Sequence, residues 1–339
     1  MFPLIHVLLV CLLLGLPGVG SARAASVTSP PEDFSRWLES FAVEARGRGI
    51  SDGTLEASLT GLQPLPRVIE LDRSQPKAPS QFCTYLDRRL SETRIARGRR
   101  MLREHGPLLE RISAEYGVPP RFVVALWGLE TNFGDYLGTY PVIAALATLA
   151  HEGRREELFR TQLHAALQIV DEGHSSPADL KGSWAGATGQ VQLMPTTFLD
   201  YAVDYDGDGI KDVWSNLEDA FATAASYLRR SGWRSGETWG RQVRVPDALS
   251  VDRPGLADRR QLSEWRRAGV KREDGRSLPD ADIRGSLVFP TRSAQPAFLV
   301  YDNYRSVLRW NNSTFFAVSV GTLADELSGA RTLRACRFR

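Results

Sequence analysis

The sequence predicts a mainly α protein, α+β in class, with a helical core interrupted by a small β-containing subdomain. Three observations predict it. Residues recur at i, i+3, i+4 and i+7 in one segment after another, as in Phe34, Trp37, Leu38 and Phe41, or Val123, Leu126, Trp127 and Glu130. Proline opens and glycine closes several of these segments: Pro119 and Pro120 begin one that ends before Gly134, and Gly232 stops another. From 235 to 290 the texture changes to short strand-like runs, Gln242–Val245 and Gly285–Phe289, around a polar insert.

In chain order, residues 1–24 read as a secretory signal. Leu4–Leu16 lacks Asp, Glu, Lys and Arg, Pro17 and Gly18 follow, and Ala22-Arg23-Ala24 offers a small-x-small cleavage site. The run is too short for a comfortable membrane span. Cys11 lies inside it, away from the cleavage site, which argues against a lipid anchor. Residues 25–31 form a Ser/Thr/Pro-rich tail. Helical character runs from Asp33 to Arg48, while Pro64, Pro66, Pro76 and Pro79 predict an extended loop over 60–80. Helices return over 82–116, 119–130, 141–149, 156–172, 196–203 and 217–230. The insert carries a short helix over 261–267, 298–301 is a further strand, and 314–327 is helical again. The expected organisation is a helical domain over 25–235, a small β-containing subdomain over 236–290, and a segment, 291–339, that returns to the helical domain.

Lys and Arg number 42 against 40 Asp and Glu. The leader holds Arg23 alone of these, so the mature chain is near neutral and offers no electrostatic case for nucleic acid. Export leaves Cys83 and Cys336 in an oxidising compartment, either as a disulfide or as two free thiols.

Glu130 is the leading candidate for chemistry. It places a carboxylate on the apolar face of a helix, where loss of solvation raises its pKa. It also lies near the helix C-terminus, where the dipole disfavours negative charge. Both effects suit a general acid working near neutral pH. Residues 182–195, GSWAGATGQVQLMP, combine small residues that allow close backbone approach with Ser183, Gln190 and Gln192, which can hydrogen-bond a neutral polar ligand. The Lys-Ser/Thr pair of a phosphate loop is missing, so a sugar fits better than a phosphate. Residues 204–215, DYDGDGIKDVWS, place Asp204, Asp206 and Asp208 at positions 1, 3 and 5 of an EF-hand-like calcium loop, with Gly209 at the turn, the Ile210 carbonyl at 7 and Asp212 at 9. Position 12 is Ser215 in place of a bidentate Glu, which predicts weak calcium affinity, on the order of 10⁻⁴ M, and a structural role. Ser215 with Glu218 reads as a capping box for the next helix.

With these segments assembled, the chain resembles the lytic murein transglycosylase B family over most of residues 34–330. The resemblance rests on WGLETNFG (127–134), the 182–195 segment, the Asp-rich loop and YDNYRSVLRWNNS (301–313). It implies a lysozyme-like fold and a soluble periplasmic enzyme. The implied reaction cleaves the β-1,4 bond between N-acetylmuramic acid and N-acetylglucosamine of peptidoglycan without water, leaving a 1,6-anhydromuramyl end. Glu130 matches the family's single acid/base. Ser183 and Gln192 match the groups that orient saccharide and catalytic Glu. Tyr85, Tyr227 and Asn311 match cleft positions, and Arg154 with Arg155 matches a basic pair that meets substrate carboxylates or peptide stems. Trp310 stands where the family pattern leads one to expect Tyr, which implies stacking there without a phenol's hydrogen bond. Calcium is the implied metal, and no organic cofactor is implied. The alternatives are a hydrolysing muramidase and an inactive, calcium-stabilised peptidoglycan-binding protein.

Overall fold

The computed structural model describes residues 33–74, 81–252, 254–291 and 296–330 of the chain. The leader and Cys336 lie outside the described residues. Cys83 is disulfide-bonded.

The chain opens with α1 (Phe34–Gly47), α2 (Asp52–Leu59), α3 (Pro66–Arg73), α4 (Phe82–Arg89), α5 (Glu92–Glu104) and α6 (Gly106–Tyr116). Next come α7 (Pro120–Thr131), β1 (Tyr140–Pro141), α8 (Val142–Glu152), α9 (Glu156–Asp171), β2 (Lys181–Gly182), α10 (Pro195–Tyr201) and α11 (Leu217–Arg230). The subdomain holds β3 (Gly240–Arg244), α12 (Asp247–Asp252), β4 (Arg260–Gln261), α13 (Leu262–Arg267), β5 (Lys271–Arg272) and β6 (Arg284–Val288). The chain returns through β7 (Ala297–Val300), α14 (Asp302–Trp310) and α15 (Thr314–Leu327).

Local chemistry explains many boundaries. Asp33 accepts from the Ser35 amide at 2.8 Å and starts α1. Ser51 and Ser91 cap α2 and α5 in the same way. The expected loop over 60–80 contains a helix: Pro66 sits in the first turn of α3, where a missing N–H costs nothing. The N-cap of α11 is Asn216, which accepts from the Glu218 amide at 2.9 Å. Ser215, expected to cap that helix, instead donates its hydroxyl to Asp212.

The five-stranded sheet has the order β4-β6-β7-β3-β5, and its neighbours run antiparallel. Its two faces serve two cores. On β7, Phe298 and Val300 join the main helical core, whereas Ala297 and Leu299 join a smaller one with Leu262, Trp265 and Leu287. β7 leads directly into α14 and α15, and α15 packs along α7, α5 and α4. This return carries Trp310 to the end of the helix that bears Glu130. No helix among the described residues is long and apolar enough to cross a membrane.

Candidate active site

Residues 122–129 of α7 are all buried, and Glu130 is the next side chain, with intermediate exposure. Just beyond it the backbone reverses through three consecutive residues with positive φ, Asn132 (55°), Phe133 (61°) and Gly134 (84°). Two of these are not glycine, so the turn carries strain that its surroundings must hold. Thr131 holds it, donating to the Gln190 carbonyl at 2.8 Å and accepting from the Gly134 amide at 3.0 Å. Asp135 is held by Arg97 and by Asn132, the latter at 2.8 Å.

The carboxyl of Glu130 accepts a hydrogen bond from the Trp310 indole, Nε1 to Oε1 at 2.9 Å. The family pattern implied stacking alone at this position; the indole N–H supplies the hydrogen bond that a phenol would otherwise give. Burial pushes the Glu130 carboxyl up to about 7, against the opposing pull of the Trp310 N–H and the positive charge of Arg89. At neutral pH the group therefore exists in both protonation states. Tyr227, from α11, meets Trp310 edge-on at 4.8 Å and donates its hydroxyl to the Arg309 carbonyl at 2.6 Å. It is buried. Tyr85, from α4, is half-buried, and its phenol is raised by burial and by the negative charge of Glu130. Arg89, one turn later, lies over the Tyr85 ring at 5.4 Å. Asn311 is exposed at the C-terminus of α14, next to Trp310.

Ser183 and Gln192 pack against the loop that follows Glu130, through Gly138 and Leu137. β1 pairs with β2, setting Tyr140 opposite Gly182. Gly138 packs so closely on the Gly182 backbone that a Cβ there would lie 2.1 Å from its carbonyl carbon. The Ser183 hydroxyl accepts from the Ala187 amide at 3.0 Å, leaving its own proton to donate. Gln192, at φ 51°, donates Nε2 to the Leu137 carbonyl at 3.0 Å and to the Gly189 carbonyl at 3.2 Å, which fixes the amide. Gln190 has another role than the one its position suggested. Its amide is buried, accepting from the Trp127 indole at 2.8 Å and donating to the Trp214 carbonyl at 2.9 Å. It clamps the glycine-rich segment beneath α7.

Arg154 and Arg155 converge on one carboxylate, Asp72 of α3, which is 2% exposed. One positive charge remains over from the trio, and the side chain of Arg154 is still 47% exposed.

In the Asp-rich loop, oxygen atoms of Asp204, Asp206 and Asp219 lie within 4.8 Å of one another. Asp219 was not anticipated. It sits in the first turn of α11, where an acid reads as a complement to the helix dipole. It is fully buried, and its carboxyl is raised by burial and by the charges of Asp206 and Asp204. Three converging carboxylates that repel one another fit a bound divalent cation. Asp208 and Asp212 are not part of this cluster, although Asp204 accepts loop amides just as they do, from Gly207 at 2.8 Å and Gly209 at 2.9 Å. Asp208 accepts from the Ile210 amide at 2.7 Å, and Asp212 from the Trp214 and Ser215 amides at 2.9 Å. Ile210, whose carbonyl was the expected ligand, has an exposed side chain.

Residues 33–325 match the transglycosylase SLT domain family. The chain belongs to this family. It is 32% identical over 228 residues to the membrane-bound lytic murein transglycosylase B of Escherichia coli (strain K12), a match covering 66% of this chain and 61% of that protein. Its fold is similar to SltB3 from Pseudomonas aeruginosa, solved with NAG-anhNAM-pentapeptide, with TM-score 0.86 and 41% identity over 89% of this chain and 81% of that one. The Escherichia coli lytic transglycosylase Slt35, solved with calcium, matches with TM-score 0.74 and 27% identity over 87% of this chain and 93% of that one. The architecture is thus that of the lysozyme-like lytic transglycosylases, as the sequence resemblance implied.

Proposed function

We propose that the protein is a peptidoglycan lytic transglycosylase that cleaves the β-1,4 bond between N-acetylmuramic acid and N-acetylglucosamine without water. The observation that carries this reading is a single carboxyl, Glu130, poised near pH 7 beneath an indole donor in this family's fold. In the first step Glu130 gives its proton to the leaving O4 of N-acetylglucosamine as the C1–O4 bond breaks. The substrate's own N-acetyl group then stabilises C1. In the second step the Glu130 carboxylate takes the proton of the muramyl O6 hydroxyl as O6 bonds to C1. The proton count balances, and Glu130 ends as it began. A retaining glycosidase would need a second carboxylate about 5 Å away. Asp135, the nearest in sequence, is held by Arg97 and Asn132, which suits a one-carboxylate mechanism.

Ser183 and Gln192 orient the saccharide, Tyr85, Trp310 and Asn311 line its path, and Tyr227 steadies Trp310. Arg154 and Arg155 meet stem carboxylates with the charge that Asp72 leaves over. The chain works in the periplasm, delivered by the leader that ends near Ala24. Digestion of purified sacculi tests the chemistry: 1,6-anhydromuramyl ends are expected by mass analysis, and reducing muramyl ends would point to a hydrolysing muramidase instead.

Asp204, Asp206 and Asp219, with the Ile210 carbonyl, would hold a calcium ion, which would pin the Asp-rich loop to the first turn of α11. Its role is structural. EDTA should lower Tm and calcium restore it, and Asp219→Asn should abolish the response. At about 100 times the dissociation constant, linkage gives about 2.7 kcal/mol. No change in Tm at about 10 mM calcium would remove the metal, given an affinity on the order of 10⁻⁴ M.

A further inference from the structure

We propose that Arg89 is the positioning residue that holds Glu130 in working geometry and steadies its carboxylate between the two proton transfers. The inference rests on Glu130 as the acid/base. Arg89 closes α4, and its NH1 donates to the Leu129 carbonyl at 2.9 Å, one residue before Glu130. That carbonyl belongs to the negative end of α7, which opposes charge on Glu130. A guanidinium bound there answers the dipole where it matters. Its other face covers the Tyr85 ring, so the cation is held between the helix end and a cleft aromatic.

Arg89 differs from Arg97, Arg154 and Arg155. Arg97 pairs with Asp135, and Arg154 and Arg155 pair with Asp72. Among the described residues no carboxylate forms an ion pair with Arg89, so its charge is not cancelled before it reaches Glu130. Arg94 fixes it from behind, donating NH1 to the Arg89 carbonyl at 2.6 Å and Nε to Asn132 Oδ1 at 3.3 Å. Arg94 therefore ties the C-terminal ends of α4 and α7 together, with Arg89 between them.

One other guanidinium near the end of α7 lacks an ion pair among the described residues, Arg94, and its donors are taken up by the Arg89 carbonyl and Asn132. α4 contributes Tyr85 and Arg89, and α14 contributes the neutral Trp310. From α5, Arg94 and Arg97 are engaged with Asn132 and Asp135 beyond the helix end. His105, between α5 and α6, and Tyr227, from α11, lie against Trp127 and Trp310. From α15, Asp325, which burial pushes up to about 6, accepts from the Trp239 indole at 2.9 Å and feels the positive charge of Arg121. Arg121 lies nine residues before Glu130, about 13 Å along the helix axis.

The test is the pH profile of kcat/KM for release of anhydromuropeptides from sacculi, using the full chain and its Arg89→Gln and Arg89→Lys variants. In Arg89→Gln the alkaline limb should move up by at least about half a pH unit and kcat should fall by about tenfold, with KM nearly unchanged. In Arg89→Lys the limb should stay at the wild-type pH, because the charge is kept. Asp325 is present in both variants, so its titration stays fixed while that of Glu130 moves. A folded Arg89→Gln protein whose limb does not move reduces Arg89 to a structural cap and overturns the proposal. If Arg89→Gln does not fold, Arg89→Lys decides: a limb displaced upward despite the retained charge overturns it, and an unmoved limb with lowered kcat supports it. Activity surviving in Glu130→Gln would signal a different failure, that of the acid/base assignment itself.

Discussion

Replacing Glu130 by Gln is expected to lower kcat by about 10²–10⁴-fold while leaving binding to peptidoglycan intact. The amide has nearly the same shape as the protonated carboxyl, and its oxygen can still accept from the Trp310 indole, now 2.9 Å from Oε1. Near neutral pH the wild-type group is already neutral for part of the time, so the change neither buries a new charge nor opens a cavity. Tm should move little. What disappears is the transferable proton, needed once by the leaving oxygen and once, in reverse, by O6. Co-sedimentation with sacculi measures binding, and anhydromuropeptide release measures turnover. Residual activity above about one hundredth of wild type would assign the proton transfers to another group, since positioned acid–base catalysis normally supplies at least that factor.

Much of this architecture was legible in the sequence because the signals were local. Apolar faces at helical spacing, prolines in first turns and the reversal after Glu130 follow from backbone chemistry within a few residues. Three strands were also legible, offset by one or two residues from the observed β3, β6 and β7, whereas the two-residue β4 and β5 were not. What escaped depended on partners far away in the chain. Pro66 reads as a loop residue until the first turn of α3 is seen, because proline marks both. Arg154 and Arg155 read as two free charges, yet Asp72 lies buried 82 and 83 residues earlier. Gln190 reads as a ligand group among small residues, but a buried indole from α7 claims its oxygen. Asp219 was hidden by a second function, since an acid in a first turn already has a reason to be there. Arg89 lay in an arginine-rich stretch where nothing local marks the one guanidinium that caps the Glu130 helix.

The substitution of Trp310 by Phe has the second largest expected effect on turnover. The indole crosses 180 residues of sequence to donate to Glu130, and it is the only direct hydrogen bond to that carboxyl among the described residues. Hydrogen bonds to charged groups contribute about 1.5–3 kcal/mol. Removing a donor that favours the carboxylate raises the pKa of Glu130 above its value of about 7. The alkaline limb of kcat/KM should therefore move up by about one to two pH units, at 1.36 kcal/mol per unit. Below that limb the rate should be lower, by about 10–100-fold, because a weaker acid gives up its proton less readily and the carboxylate formed in the transition state has lost its donor. Phe keeps the edge-on contact with Tyr227, now 4.8 Å between ring centroids, so lost stacking is a small part of the effect. Trp310→Tyr separates the two contributions further, since a phenol that reaches Glu130 should restore both the limb and the rate. If Trp310→Phe keeps the wild-type limb, the indole serves only to stack, and Arg89 is left as the single group that favours the charged form of the acid.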